Sequence, residues 1–67
     1  MISYDPLWNT MAKKGVTTYA LIKNYGFSKG TLDRLKHNRP ITTVTLDDLC
    51  RILGCDVGDV IEYRADE

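Results

Sequence analysis

Apolar residues recur at helical spacing along most of this chain. The clearest case is Leu46, Leu49, Cys50 and Leu53, which fall at i, i+3, i+4 and i+7 and predict an amphipathic helix. Thr45 is the expected start of that helix, with Asp48 three residues on as a shortened capping box, and Gly54 stops it. Leu7, Trp8, Met11 and Ala12 predict an earlier helix from about Pro6 to Lys14, with Asp5 as N-cap and Pro6 at the first helical position. Lys13 and Lys14 suit the negative end of its dipole, and Gly15 ends it. Leu21, Ile22 and Tyr25 form the buried stripe of a second helix, about 18–25, capped by Thr17 or Thr18 and closed by Gly26. Phe27 is expected to fold inward across the turn.

The chain is organised around Gly26 to Asn38, GFSKGTLDRLKHN. Ser28 opens a third helix, about 28–36, that buries Leu32 and Leu35 on one side. Its other side carries Lys29, Gly30, Thr31, Arg34 and His37. Gly30 weakens a helix by up to about 1 kcal/mol relative to Ala, which reads either as room for close backbone approach or as a tolerated weak position. Asn38 is placed to adopt a left-handed backbone after the helix, and Pro40 prevents its continuation. Past Gly54, Asp56 starts a last short helical turn, about Val57 to Val60. Ile2 to Tyr4 and Ile61 to Tyr63 have β-type residues, enough for a short terminal strand pair. A polar tail follows from Arg64 to Glu67, expected to fray.

The 67 residues allow at most one domain, and the 43% hydrophobic fraction argues against disorder. No apolar run is long enough to span a membrane and no signal peptide is visible, so a cytoplasmic location is expected. Cys50 and Cys55 do not make a disulfide framework, and Cys50 continues an apolar stripe as a buried thiol would. No nucleophile–base constellation, metal cluster or phosphate loop appears, so neither an enzyme nor a cofactor is expected. The net charge of zero hides a strong segregation. Residues 13–39 hold seven Lys or Arg against Asp33 alone, whereas residues 46–67 hold seven carboxylates against Arg51 and Arg64. One face of such a molecule attracts phosphate whatever the total.

Thr17-Thr18, Leu21, Gly26, Phe27-Ser28, Thr31-Leu32 and Leu35 together resemble the Cro/CI-type helix-turn-helix regulators. The run from Leu49 to Tyr63, LCRILGCDVGDVIEY, with Trp8 in the first helix, is similar to the small stand-alone regulators of the YozG and VanU kind. The resemblance implies an all-α fold, a compact five-helix Cro/repressor-type domain over residues 1–67 with a short terminal strand pair. It also departs from the pattern: Ile22 replaces a small residue between the two helices, Asn38 replaces a glycine, and Thr18 replaces a glutamine.

What the resemblance implies is sequence-specific binding of double-stranded DNA by a small transcriptional regulator, with helix 28–36 in the major groove. Its base-reading positions fall on Lys29, Gly30, Asp33 and Arg34. Lys29 and Arg34 can donate to guanine O6 and N7, and Arg34 can do so with two bonds. Asp33 can accept from cytosine N4, pair with Lys29 or orient Arg34; repulsion by phosphate favours orientation. Thr17, Thr18, Ser28, Thr31, Lys36, Asn38 and Arg39 are the phosphate candidates. One such domain covers about half a site, so a homodimer or a partner protein, met through the acidic C-terminal half, is expected. No site for a small-molecule ligand is evident. Two other readings stay open: a protein-interaction or antitoxin-like accessory module, and a thiol redox sensor using Cys50 and Cys55.

Overall fold

The computed structural model describes residues 1–65; Asp66 and Glu67, the end of the expected tail, lie outside the described residues. The chain runs β1 (Ile2–Ser3), α1 (Asp5–Lys14), α2 (Thr18–Tyr25), α3 (Lys29–Lys36), α4 (Thr43–Leu53), a 3₁₀ turn (Val57–Asp59) and β2 (Glu62–Tyr63). The strands pair antiparallel, Ile2 opposite Tyr63 and Ser3 opposite Glu62. The described residues thus hold four α-helices where the sequence suggested five, together with the terminal strand pair. The fifth shrinks to three residues for local reasons. Asp59 Oδ2 accepts the Asp56 N–H at 3.2 Å, closing the turn at once. Val60 then turns fully inward, and the chain leaves directly for β2.

Every α-helix contributes to one apolar cluster. Leu7 and Met11 of α1, Leu21 of α2, Leu32 and Leu35 of α3, and Leu49 and Leu53 of α4 are buried in it, with Tyr4 and Val60. Trp8, Ile22, Phe27, Leu46, Cys50, Cys55 and Ile61 pack half-buried around this centre. Tyr25 departs from expectation: it is 50% exposed. The chain turns at Gly26, and the Phe27 N–H bonds to the Leu21 carbonyl at 3.0 Å, so Phe27 takes the inward position instead.

Helix starts are set by short hydroxyl side chains. Thr17 Oγ1 accepts the Ala20 N–H at 3.1 Å and Ser28 Oγ accepts the Thr31 N–H at 3.0 Å, each capping the helix that follows. The start of α4 differs from the expected Thr45–Asp48 box. Thr42 Oγ1 accepts the Thr45 N–H at 3.2 Å, the helix begins at Thr43, and Asp48 pairs with Arg51 instead. The start of α1 also differs. Asp5 lies inside the helix, Tyr4 occupies the cap position, and the fully buried Ser3 supplies the hydroxyl, accepting the Asp5 N–H at 3.2 Å. The Asp5 carboxylate is thereby released to pair with Arg64. Arg64 also bonds Glu62 at 2.9 Å, and its backbone N–H reaches the Met1 carbonyl at 2.8 Å. The part of the tail that the structure describes is therefore anchored at Arg64.

Candidate nucleic-acid interface

Tyr25 closes α2, Gly26 turns the chain with φ +73°, and Ser28 opens α3 two residues later. A left-handed backbone at that point is cheap only for glycine or, less often, asparagine. Asn38, just past the end of α3, takes the same backbone with φ +54°. Leu32 and Leu35 hold one side of α3 in the core, at 4% and 0% exposure. Burial of that stripe decides what the opposite side presents, because residues advance by about 100° along a helix. Lys29, Gly30, Asp33, Arg34, Lys36 and His37 are all exposed to solvent. Lys29 and Arg34 lie about 140° apart on this wheel with Gly30 between them, so they share a broad outward arc.

The expected base readers Lys29, Gly30, Asp33 and Arg34 all lie exposed on α3, and Asp33 has a partner other than those expected. His37 Nδ1 lies 2.9 Å from the Asp33 carbonyl oxygen and 3.2 Å from its Oδ1, so an Nδ1–H is shared between them. Asp33 therefore pairs with His37, not with Lys29 or Arg34 as the sequence suggested. The i, i+4 spacing on α3 places the two side chains in contact. Arg34 is instead held by Thr31: Nη2 donates to Thr31 Oγ1 at 3.0 Å.

The phosphate candidates divide. Thr17 and Ser28 use hydroxyl lone pairs as caps; Thr17 keeps its proton for an outside acceptor, whereas Ser28 also bonds the Thr31 hydroxyl at 2.9 Å. Thr18, Lys29 and Lys36 line a shallow recess of about 310 Å³ between α2 and α3, floored by Ile22 and Leu32. Lys36 and Arg39 are exposed. Asn38 is half committed to the fold, since its Oδ1 accepts the Tyr4 N–H at 3.0 Å. The Tyr4 hydroxyl also donates to the Arg39 carbonyl at 2.6 Å. Burial raises the pKa of that phenol, keeping it a donor. Tyr4 thus pins the end of α3 to the N-terminal strand, a role the sequence pattern did not reveal.

Charge pairing separates the two halves of the molecule. Among the described residues, Arg51 bridges Asp47 and Asp48, and Arg64 bridges Asp5 and Glu62. Among the same residues, none of the seven Lys and Arg side chains between positions 13 and 39 bridges a carboxylate. Lys23 instead lies over the Tyr19 ring, 5.6 Å from its centroid. The N-termini of α2 and α3 add backbone donors and positive dipole ends to this surface.

Comparison with known proteins agrees with this geometry. Residues 6–66 match the Cro/C1-type HTH DNA-binding domain family. The chain is 34% identical over 59 residues to the HTH-type transcriptional regulator YozG of Bacillus subtilis (strain 168), itself uncharacterised, covering 85% of this chain and 70% of that one. Its fold is also similar to the crystal structure of the transcriptional regulator VanUg. That match has a TM-score of 0.87 and 31% identity, covering 97% of this chain and 87% of the other. A turn at Gly26 between two capped helices, inside a fold shared with such regulators, settles the kinship: the chain belongs to the Cro/C1-type helix-turn-helix DNA-binding family.

Proposed function

We propose that this protein is a sequence-specific regulator of transcription that lays α3 in the major groove of double-stranded DNA. The observation that carries the reading is the surface of α2 and α3, where exposed cations stand unbridged beside two capped helix N-termini. Lysines and arginines that the fold leaves without carboxylate partners are suited to an external polyanion. Lys29 and Arg34 read base edges, Gly30 lets the backbone approach, and Asp33, paired with His37, borders the same edge. Thr17, Thr18, Ser28, Lys36 and Arg39 contact phosphates and set the register.

A single α3 of eight residues covers about half a site, so a second copy of the chain completes it. Exposed Ile2, lining one recess with Pro40, Ile41 and Leu46, offers apolar surface for that contact beyond the end of α3. Selection of bound duplexes from random DNA tests the function. The expected result is an enriched motif whose binding weakens linearly in log affinity against log salt. Recovery of no motif, with equal binding to all duplexes, would overturn specific recognition.

A further inference from the structure

The starts of α3 and α4 are built alike. Ser28 Oγ accepts the Thr31 N–H at 3.0 Å, and Thr42 Oγ1 accepts the Thr45 N–H at 3.2 Å. The hydroxyls of each pair also touch, at 2.9 Å for Ser28–Thr31 and 3.3 Å for Thr42–Thr45. Only one of the two arrangements goes further. At α3 the guanidinium of Arg34 reaches back over the first turn, and its Nη2 donates to Thr31 Oγ1. Gly30 lies beneath: a Cβ added there would stand 3.8 Å from Arg34 Nη1. Long helical side chains lean toward the helix N-terminus, which brings position 34 over positions 30 and 31.

A guanidinium only donates, so Thr31 Oγ1 accepts from Arg34, and its second lone pair or its own proton serves the contact with Ser28 Oγ. Arg34 spends one of its N–H groups on this anchor and keeps the others for an outside acceptor. Asp33, the neighbouring carboxylate, is tied to His37 and does not draw the guanidinium away.

We propose that Thr31 is a positioning residue for Arg34: the Ser28–Thr31–Arg34 hydrogen-bond chain holds the guanidinium fork before DNA arrives, so that a guanine is read at one defined position. The inference rests on α3 lying in the major groove. A fork already oriented loses less side-chain freedom on binding and tolerates fewer wrong bases.

The test uses the full chain carrying Thr31→Val, Thr31→Ser, Thr45→Val or Arg34→Ala. Each is titrated against the selected duplex and against duplexes with single base pairs replaced, over a range of salt. Thr45→Val is the matched control, with the same cap but no guanidinium. Thr31→Val is expected to lose roughly 2- to 10-fold of the preference at one base pair, with the salt slope unchanged. Thr31→Ser should keep the preference, Thr45→Val should bind as the native chain does, and Arg34→Ala should lose preference at the same base pair. Equal weakening of Thr31→Val on every duplex, with the salt slope falling by about one, would make Thr31 a phosphate contact and overturn the proposal. So would an intact base preference in Thr31→Val while Arg34→Ala loses it. Should Arg34→Ala also keep its preference, base reading by Arg34 falls together with the positioning role.

Discussion

The basic and acidic halves of this molecule are made from the same side chains and treat them in opposite ways. Around α4 and β2, Arg51 and Arg64 turn to carboxylates on their own protein. Around α2 and α3, the lysines and arginines face outward, with no carboxylate bridge among the described residues. Surface ion pairs such as those of Arg51 stabilise a fold by only about 0–1 kcal/mol. Stability therefore does not require the segregation, which suits the polyanionic partner proposed above. The core makes no such distinction, since buried leucines come from both halves.

That last point gives the largest expected effect. Leu35→Ala in α3 and Leu49→Ala in α4 each remove a fully buried side chain and should each destabilise the fold by about 2–5 kcal/mol in urea unfolding. A cost below about 1 kcal/mol at Leu35 alone would mean that α3 is not seated by the shared core. Next comes the charge contrast itself. Replacing Lys29, Lys36 and Arg39 together by Ala should flatten the salt dependence of duplex binding, by about one unit of slope for each phosphate that is no longer neutralised. Arg51→Ala should leave that slope unchanged, and an equal effect at Arg51 would erase the distinction between the halves.

Smaller still is the cap of α4: Thr42→Ala should cost about 1 kcal/mol by thermal or chemical unfolding, with little change at Thr45→Ala. The Cβ of Gly30→Ala would make only ordinary van der Waals contacts, with Arg34 Nη1 and Ser28 Oγ at 3.8 Å, and should raise stability by up to about 1 kcal/mol. Weaker DNA binding by the same variant would show that the missing side chain serves close approach.

A pH effect belongs to the acidic half. Burial first, then the neighbouring Cys50 thiol, push the Cys55 thiol above its ordinary range. Because the folded-state pKa is the higher one, this contribution to stability is fully present below the unfolded pKa. It is lost as pH rises toward the folded value. Alkylation of Cys55 in the native chain should accordingly begin at higher pH than in the urea-unfolded chain; identical pH profiles would contradict the assignment.

Much of the fold was legible because local chemistry and global packing agree. Gly15, Gly26 and Gly54 end helices where the apolar stripes run out, and Asn38 takes the left-handed backbone expected of it. Thr17 and Ser28 cap as their positions suggest. The strand pair was legible from alternation at both ends, although three residues carry little signal alone. What failed did so where several side chains compete for one role. Thr42 and Thr45 are both cap candidates three residues apart, and extended backbone at Thr42 decided between them. Asp5 looked like a cap until the buried Ser3 hydroxyl, out of register in sequence, took the N–H. Tyr25 looked apolar in the stripe until Phe27 crossed the turn. At the interface, positions on α3 could be read off the helical period, but hydrogen-bond partners could not. That Asp33 turns to His37 and Arg34 to Thr31 depends on side-chain direction, which spacing alone leaves open.

The central claim, that the outward side of α3 reads a duplex, is met most directly by one ratio: affinity for the selected duplex over affinity for the same duplex scrambled, in native protein and in Arg34→Ala at a single salt concentration. The account predicts that Arg34→Ala lowers this ratio, corresponding to about 1–3 kcal/mol of lost discrimination at one base pair. Equal loss of affinity on both duplexes, with the ratio unchanged, would contradict it.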